Sequence, residues 1–227
     1  MSKKDLKNTS KKAAAGFTKE YWEANYSDPE TMDGVINARD HAHYLAAIFG
    51  LESIEINSVI DFGFGPGHIL EEVVKFFKPY RAYGIEPSEY IFKQTEKRLG
   101  NSIGTSKLKL CKKDIMRWCQ DNEKCKRFDL GISTSVFQYL TDNDLETILP
   151  FLAEKLKYFY LTVPTDIELD RQISQLDFFD QYAIRRSQQE YFDLLSPYFS
   201  IVSSRLLESK LHFDQENTKF TDLLYRW

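Results

Sequence analysis

Residues 59–69 read Val59-Ile60-Asp61-Phe62-Gly63-Phe64-Gly65-Pro66-Gly67-His68-Ile69. Two apolar residues end a strand, an acid follows, glycine recurs at 63, 65 and 67, and an apolar, helix-forming run begins at Ile69. Strand, glycine turn and helix N-terminus thus follow one another without a spacer. Glycine admits positive φ and puts no Cβ between the backbone and a ligand. The helix beyond offers free N–H groups at the positive end of its dipole. The stretch predicts a site for a charged or strongly polar ligand.

Spacing narrows the ligand. A dinucleotide loop runs G-x-G-x-x-G. Counted from Gly63 its third glycine falls on His68, and counted from Gly65 it falls on Leu70. What stands instead is D-x-G-x-G-x-G, which resembles the nucleotide-binding motif of the Rossmann-like (class I) S-adenosylmethionine-dependent methyltransferases. The resemblance implies an α/β fold, with a seven-stranded doubly wound, mostly parallel sheet, an antiparallel last strand and a helical cap. It implies S-adenosylmethionine as cofactor and methyl transfer as the reaction. Asp61 is then expected near the methionine end of the cofactor, with Gly63, Phe64, Gly65 and Gly67 under its ribose and sulfonium. Phe64 departs from the smaller or polar residue usual at that place.

The downstream residues test the assignment. Residues 57–62 are a first strand, apolar on both faces as a central parallel strand is, and 68–77 a helix. Tyr80 to Ile85 reads as a second strand ending at Glu86-Pro87-Ser88. An acid about 20 residues past the glycine turn is where a ribose diol is held, so Glu86 and Pro87 join the cofactor residues. Lys107 to Lys113 is a third strand, followed by Asp114-Ile115. The resemblance implies that Asp114 accepts from the adenine amino group and Ile115 packs on the ring. Asp114 equally suits the N-cap of a short helix around Trp118, and Trp118 is a further candidate to flank the adenine. Phe128 to Ile132 is a fourth strand with a structural acid, Asp129. The loop after it, from Ser133 to Asp142, faces the methyl group in the resembled family, which singles out Ser133, Gln138 and Tyr139.

Thr141 with Asp144 marks a helix start, and Pro150 is expected to kink or interrupt that helix. Tyr158 to Val163 is a fifth strand. Residues 165–186 form a long, mixed connection that reads either as a lid over the acceptor or as a surface helix pair. Ser187 to Glu190 has the form of a capping box. Phe199 to Leu207 and Phe220 to Trp227 are expected as the sixth and seventh strands, an antiparallel hairpin.

The rest of the chain sets bounds. Its 227 residues suffice for one domain with a real core, over 16–227, after a flexible basic terminus at 1–15. A net charge of −4 offers no broad basic surface, so no nucleic-acid partner is expected. No apolar run is long enough for a membrane span, and no secretory signal follows the N-terminal lysines. Three cysteines without a C-x-x-C suit a reducing cytoplasm, not a disulfide framework or a zinc site. Residues 16–50 form a helical cap. Its first helix carries Phe17, Tyr21, Trp22 and Tyr26 on a face that packs or contacts ligand. A second helix starts at Asp28-Pro29-Glu30 and stops near Gly50. His41 and His43 point to different faces there, so no metal site is expected. Tyr139, His41, Tyr21 and Tyr182 are the candidates to orient an acceptor.

The D/N-P-P-Y/F tetrapeptide of enzymes acting on base or amide nitrogen is absent after the fourth strand, and the expected acceptor is a small molecule. Two other functions stay open at this point: a non-catalytic protein that binds the same cofactor, and a nicotinamide oxidoreductase, which explains Glu86 but not the glycine spacing.

Overall fold

The computed structural model describes residues 16–26, 34–102 and 108–213. The elements in chain order are α1 (Lys19–Asn25), α2 (Val35–Leu51), β1 (Ser58–Phe62), α3 (His68–Phe77), β2 (Arg81–Ile85), α4 (Glu89–Ser102), β3 (Leu108–Cys111), α5 (Ile115–Asp121) and β4 (Phe128–Thr134). A 3₁₀ turn (Phe137–Tyr139), α6 (Asp142–Lys155), β5 (Leu156–Thr162), α7 (Asp166–Leu176), α8 (Gln188–Leu195), β6 (Phe199–Ile201) and β7 (Leu206–Ser209) follow. The seven strands form one sheet in the order β3-β2-β1-β4-β5-β7-β6. β1 to β5 are parallel, and β7 runs antiparallel to both β5 and β6.

Apolar residues on both faces of the central strands sandwich the sheet between helical layers. On one face Leu45 and Phe49 of α2 and Val73 of α3 meet Val59, Leu130 and Tyr158. On the other, Trp118 of α5 and Leu149 of α6 meet Phe62, Phe128 and Phe159. Trp118 is 2% exposed and packs edge-on to Phe62, so it belongs to this core and not beside a ligand. Asp129 is structural, its Oδ2 accepting from the Asn57 N–H and the Ser58 hydroxyl, both at 2.9 Å.

Three expectations change. The terminal hairpin is built within residues 199–209, because the segment read as one sixth strand turns at Val202 to Arg205. The Val202 N–H returns to the Leu206 carbonyl at 2.8 Å, and Ser203-Ser204 are residues that favour a turn. Phe220 to Trp227 lies outside the described residues. Pro150 does not interrupt α6. The carbonyl it leaves without a donor belongs to Glu146, and both residues are on the exposed face, where water serves instead. α2 begins at Val35 with Gly34 as its N-cap, and the start read at Asp28-Pro29-Glu30 lies outside the described residues.

The unusual Phe64 has a counterpart. Its ring is 6% exposed and packs with Leu70, Val74, Ala82 and Phe92 between α3, α4 and the sheet. The room comes from Gly84 on β2, where a Cβ would lie 2.7 Å from Phe64 Cδ1, 2.8 Å from Leu110 Cδ2 and 2.9 Å from Leu70 Cδ2. We expect Gly84→Ala to cost about 1–3 kcal/mol through overpacking, read from the midpoint of chemical denaturation. In the Phe64→Leu background the same substitution is expected to cost measurably less.

Candidate active site

Neighbours of β1 leave the sheet in opposite directions, β2 and β3 to one side and β4 and β5 to the other. A crevice opens at such a point, beyond the carboxyl ends of the strands. The glycine turn lies there. Gly63, Gly65 and Gly67 have φ of 80°, 49° and 75°. Gly67 takes the left-handed conformation as the N-cap of α3. At Gly63 space is closed as well, because a Cβ would sit 2.5 Å from Val136 Cγ2.

Two buried acids stand beneath this turn. Asp61, at the end of β1, is 2% exposed, and its Oδ1 has no hydrogen-bond partner among the described residues. Glu86, just past β2, is 4% exposed. The Gly65 N–H donates to Glu86 Oε2 at 3.1 Å, and the Ser88 N–H donates to Oε1 at 2.8 Å. Burial, and then the Glu86 charge, push the Asp61 carboxyl up to about 8. Burial raises Glu86 to about 7, opposed by the N–H groups of Ser88 and Gly65. The backbone donors belong to Glu86, so Glu86 is the anion of the pair and Asp61 holds the proton near neutrality.

The aromatic face of α1 roofs the turn. Trp22 comes within 3.4 Å of where a Gly65 Cβ would be. Its Nε1–H donates to Ser88 Oγ at 2.9 Å, and that hydroxyl donates to the Phe17 carbonyl at 2.9 Å. The Ser88 hydroxyl, just past the end of β2, therefore fastens the roof. Two adjoining cavities lie below. One, of about 110 Å³, is lined by Asp61, Glu86, Tyr21, Trp22, Tyr26 and His68 among others. The other, of about 470 Å³, is lined by Pro87, Asp114, Ile115 and Met116. Phe17, Gly63, Pro87, Val136 and Tyr139 touch both.

The structure thus brings Asp61, Gly63, Phe64, Gly65, Gly67, Glu86, Pro87, Asp114, Ile115, Tyr21 and Tyr139 to one crevice. Asp114 also caps α5, its Oδ1 accepting from the Arg117 N–H at 2.7 Å. Ser133 is placed elsewhere. It is fully buried in β4 with its hydroxyl on the Phe62 carbonyl at 3.4 Å, and Thr134, Ser135 and Val136 line the cavity in its stead. The strand continues two residues beyond the Ile132 end read from the sequence, which moves the loop along. Tyr182 packs edge-on against Phe17, ring centroids 6.1 Å apart, and lines neither cavity. His41 lies outside them too, under Tyr160 of β5. Gln138 is buried, and its backbone carbonyl accepts from the Ile184 N–H at 2.7 Å. Trp22, Tyr26, His68 and Val136 are lining residues that the sequence did not single out as site residues. The near-helical spacing of Phe17, Tyr21, Trp22 and Tyr26 was the available signal for two of them.

Residues 59–158 match the family model of a methyltransferase domain. The chain carries a methyltransferase domain. The methyltransferase extends the matched segment by the cap helices before it and by α7, α8 and the hairpin after it. Its fold is shared with the plantazolicin methyltransferase BpumL, 20% identical, with 98% of this chain and 90% of that one covered and a TM-score of 0.63. It is also that of magnesium protoporphyrin IX methyltransferase from Synechocystis, at 14% identity, 88% and 96% coverage and a TM-score of 0.59. An S-adenosylmethionine-dependent methyltransferase from Clostridium acetobutylicum aligns at 12% identity, 74% and 90% coverage and a TM-score of 0.57. No curated protein matches the sequence.

The cofactor of the methyltransferase is S-adenosylmethionine, and the crevice fits it. The orphaned Oδ1 of Asp61 suits a cation at the methionine end. Glu86 spends one lone pair of each oxygen on the backbone, which leaves acceptor capacity for a ribose diol. Among the described residues no three His, Cys, Asp or Glu side chains are grouped to hold a metal, and no helix is long and apolar enough to cross a membrane.

Proposed function

We propose that the enzyme transfers a methyl group to a small-molecule acceptor in the crevice between the glycine turn and the β4 loop, working in a reducing cytoplasm. The observation that carries this is the buried pair Asp61 and Glu86 at the foot of an aromatic-roofed cavity that Tyr139 also lines. Bound there, the sulfonium of the cofactor supplies an already activated methyl carbon. What the chain adds is position. The Gly65 turn and Glu86 fix the sugar, Asp61 faces the cationic end, and Asp114 with Ile115 hold the base. Holding nucleophile and carbon in line lowers the barrier by about 7–11 kcal/mol.

Tyr139 serves acceptor orientation and not proton removal. Its hydroxyl donates to Asp180 Oδ2 at 2.7 Å, and burial, with Tyr21 and Asp180 adding, raises its pKa far above the phenol range. The same hydrogen bond ties residues 177–187 to the 3₁₀ turn, which supports the reading of residues 165–186 as a lid. Tyr21 faces the crevice from the roof, and Tyr182 supports Phe17 behind it.

The test is S-adenosylhomocysteine release on incubation with S-adenosylmethionine and a panel of small amines, phenols and carboxylates. We expect acceptor-dependent release, reduced about tenfold or more in Tyr139→Phe with the cofactor affinity kept. Saturable cofactor binding without acceptor-dependent release from any member would favour a binding protein instead.

A further inference from the structure

Beyond Ser135, which lines both spaces, the crevice continues into a wider cleft of about 610 Å³ over the C-terminal end of β5. α2, α7, α8 and the turn before β7 wall it. One wall is apolar, with Val163, Phe192, Leu195 and Leu207. A polar cluster drawn from three elements borders it: His41 of α2 and Arg205 of the hairpin turn line the cleft, and Tyr160 of β5 lines a smaller hollow shared with them.

The hydrogen-bond order in that cluster follows from its members. The Arg205 guanidinium shares a hollow with Tyr160, and its positive charge favours the accepting side of the phenol. The phenol oxygen therefore turns its lone pairs toward that cation and sends its proton to Nδ1 of His41, which it touches closely. A neutral imidazole accepting at Nδ1 carries its hydrogen on Nε2. Burial, and then the Arg205 charge, lower the His41 pKa, with Asp40 opposing, which keeps the ring neutral. Nε2–H has no protein acceptor among the described residues. His41 thus presents a donor to the cleft, not a base.

The charges around it leave Arg205 uncompensated. Arg205 is exposed and makes no ion pair among the described residues. Glu168, the acid on the cleft wall, is taken by Arg171 at 3.4 Å. Asp40 is exposed and lines only a smaller adjoining hollow. One cation, one imidazole donor and an apolar wall thus share a space joined to the methyl-transfer crevice.

We infer that the acceptor is a small molecule with an apolar body and an anionic oxygen group, a carboxylate or a phosphate, held by Arg205 and the Nε2–H of His41. Its nucleophile then points toward Ser135, where the two spaces meet. The inference rests on the methyltransferase reading above and names the class of substrate for that site.

The probes are benzoate and phenyl phosphate, which separate the two anion sources, against neutral benzamide and cationic benzylamine. Each is titrated by calorimetry into the full chain, with and without S-adenosylhomocysteine, whose own binding is measured on the same sample. We expect one or both anions to bind about tenfold or more tighter than benzamide and benzylamine. Arg205→Gln should erase that preference and keep the nucleoside affinity, while Lys97→Gln, on the exposed face of α4 away from the cleft, should keep both. His41→Leu should weaken the anion about threefold to tenfold, and His41→Gln, which retains a donor, should weaken it less. Equal binding of benzamide, absence of anion saturation at about 50 mM, or a preference that survives Arg205→Gln would overturn the inference. Failure of S-adenosylhomocysteine to bind would instead strike the methyltransferase reading.

Discussion

Between about pH 5 and pH 8 the cofactor-free protein is expected to become less stable by roughly 3 kcal/mol or more, and Asp61→Asn is expected to remove most of that slope. The sign follows from the pair beneath the glycine turn. Asp61 moves from its ordinary 3.8 to about 8 on folding, and Glu86 from 4.5 to about 7. In that window the unfolded chain has released these protons, while the folded chain keeps that of Glu86 up to about 7 and that of Asp61 up to about 8. The folded state then binds more protons, so stability falls as pH rises through the window and levels off above the folded values. A cation placed beside Asp61 reverses the trend, because it rewards the ionised form. The gain in melting temperature from S-adenosylmethionine should therefore grow from pH 6 to pH 8.5, with proton release on binding near pH 7. Melting curves across pH, together with calorimetry in buffers of different ionisation enthalpy, check both parts. A flat pH profile for the wild-type apoprotein, or proton uptake on binding, would refute the assignment.

Replacing Arg186 by methionine is expected to cost about 3 kcal/mol of stability and to depress turnover beyond any change in cofactor affinity. Arg186 is 3% exposed, and its guanidinium donates to the Leu140 carbonyl at 2.6 Å and the Phe137 carbonyl at 3.4 Å. Its Nε donates to Asp142 Oδ1 at 2.8 Å. One side chain thus clamps the 3₁₀ turn that carries Tyr139 to the first residue of α6. Methionine keeps much of the volume but strips the Leu140 carbonyl, next to Tyr139, of its Arg186 donor and leaves the Phe137 carbonyl only the Leu140 N–H. Lysine restores the charge without the fork and should recover only part of the loss. The measurements are the denaturation midpoint and methyl-transfer rates at saturating cofactor. A variant that keeps wild-type stability and rate would show that the turn holds itself.

How much of this could be read from the chain depends on whether the determinant was local. Asp61 and the three glycines announce themselves, because strand end, positive φ and helix start are all set within ten residues. Ser187 with Glu190 is a capping box in the structure as its spacing foretold, and the helix start read at Thr141 with Asp144 is one as well. The hairpin was misplaced because its two strands are only 3 and 4 residues long, too short for alternation to separate them from a single run. Ser133 was misassigned by the register of β4, which depends on pairing with β5. The fit between Phe64 and Gly84, the fastening of Trp22 to Ser88 and the cluster of His41, Tyr160 and Arg205 each join residues far apart in sequence. Nothing in the local pattern could have brought them together.

The central claim is that the acids at 61 and 86, beneath the turn after β1, hold an adenosyl amino acid. Isothermal titration of the wild type with S-adenosylhomocysteine at pH 8, repeated on Glu86→Gln and Asp61→Asn, tests it most directly. The account predicts one saturable site in the wild type and affinity reduced by about tenfold or more in each variant. No saturable heat at millimolar nucleoside in the wild type, or equal affinity in all three proteins, would contradict it.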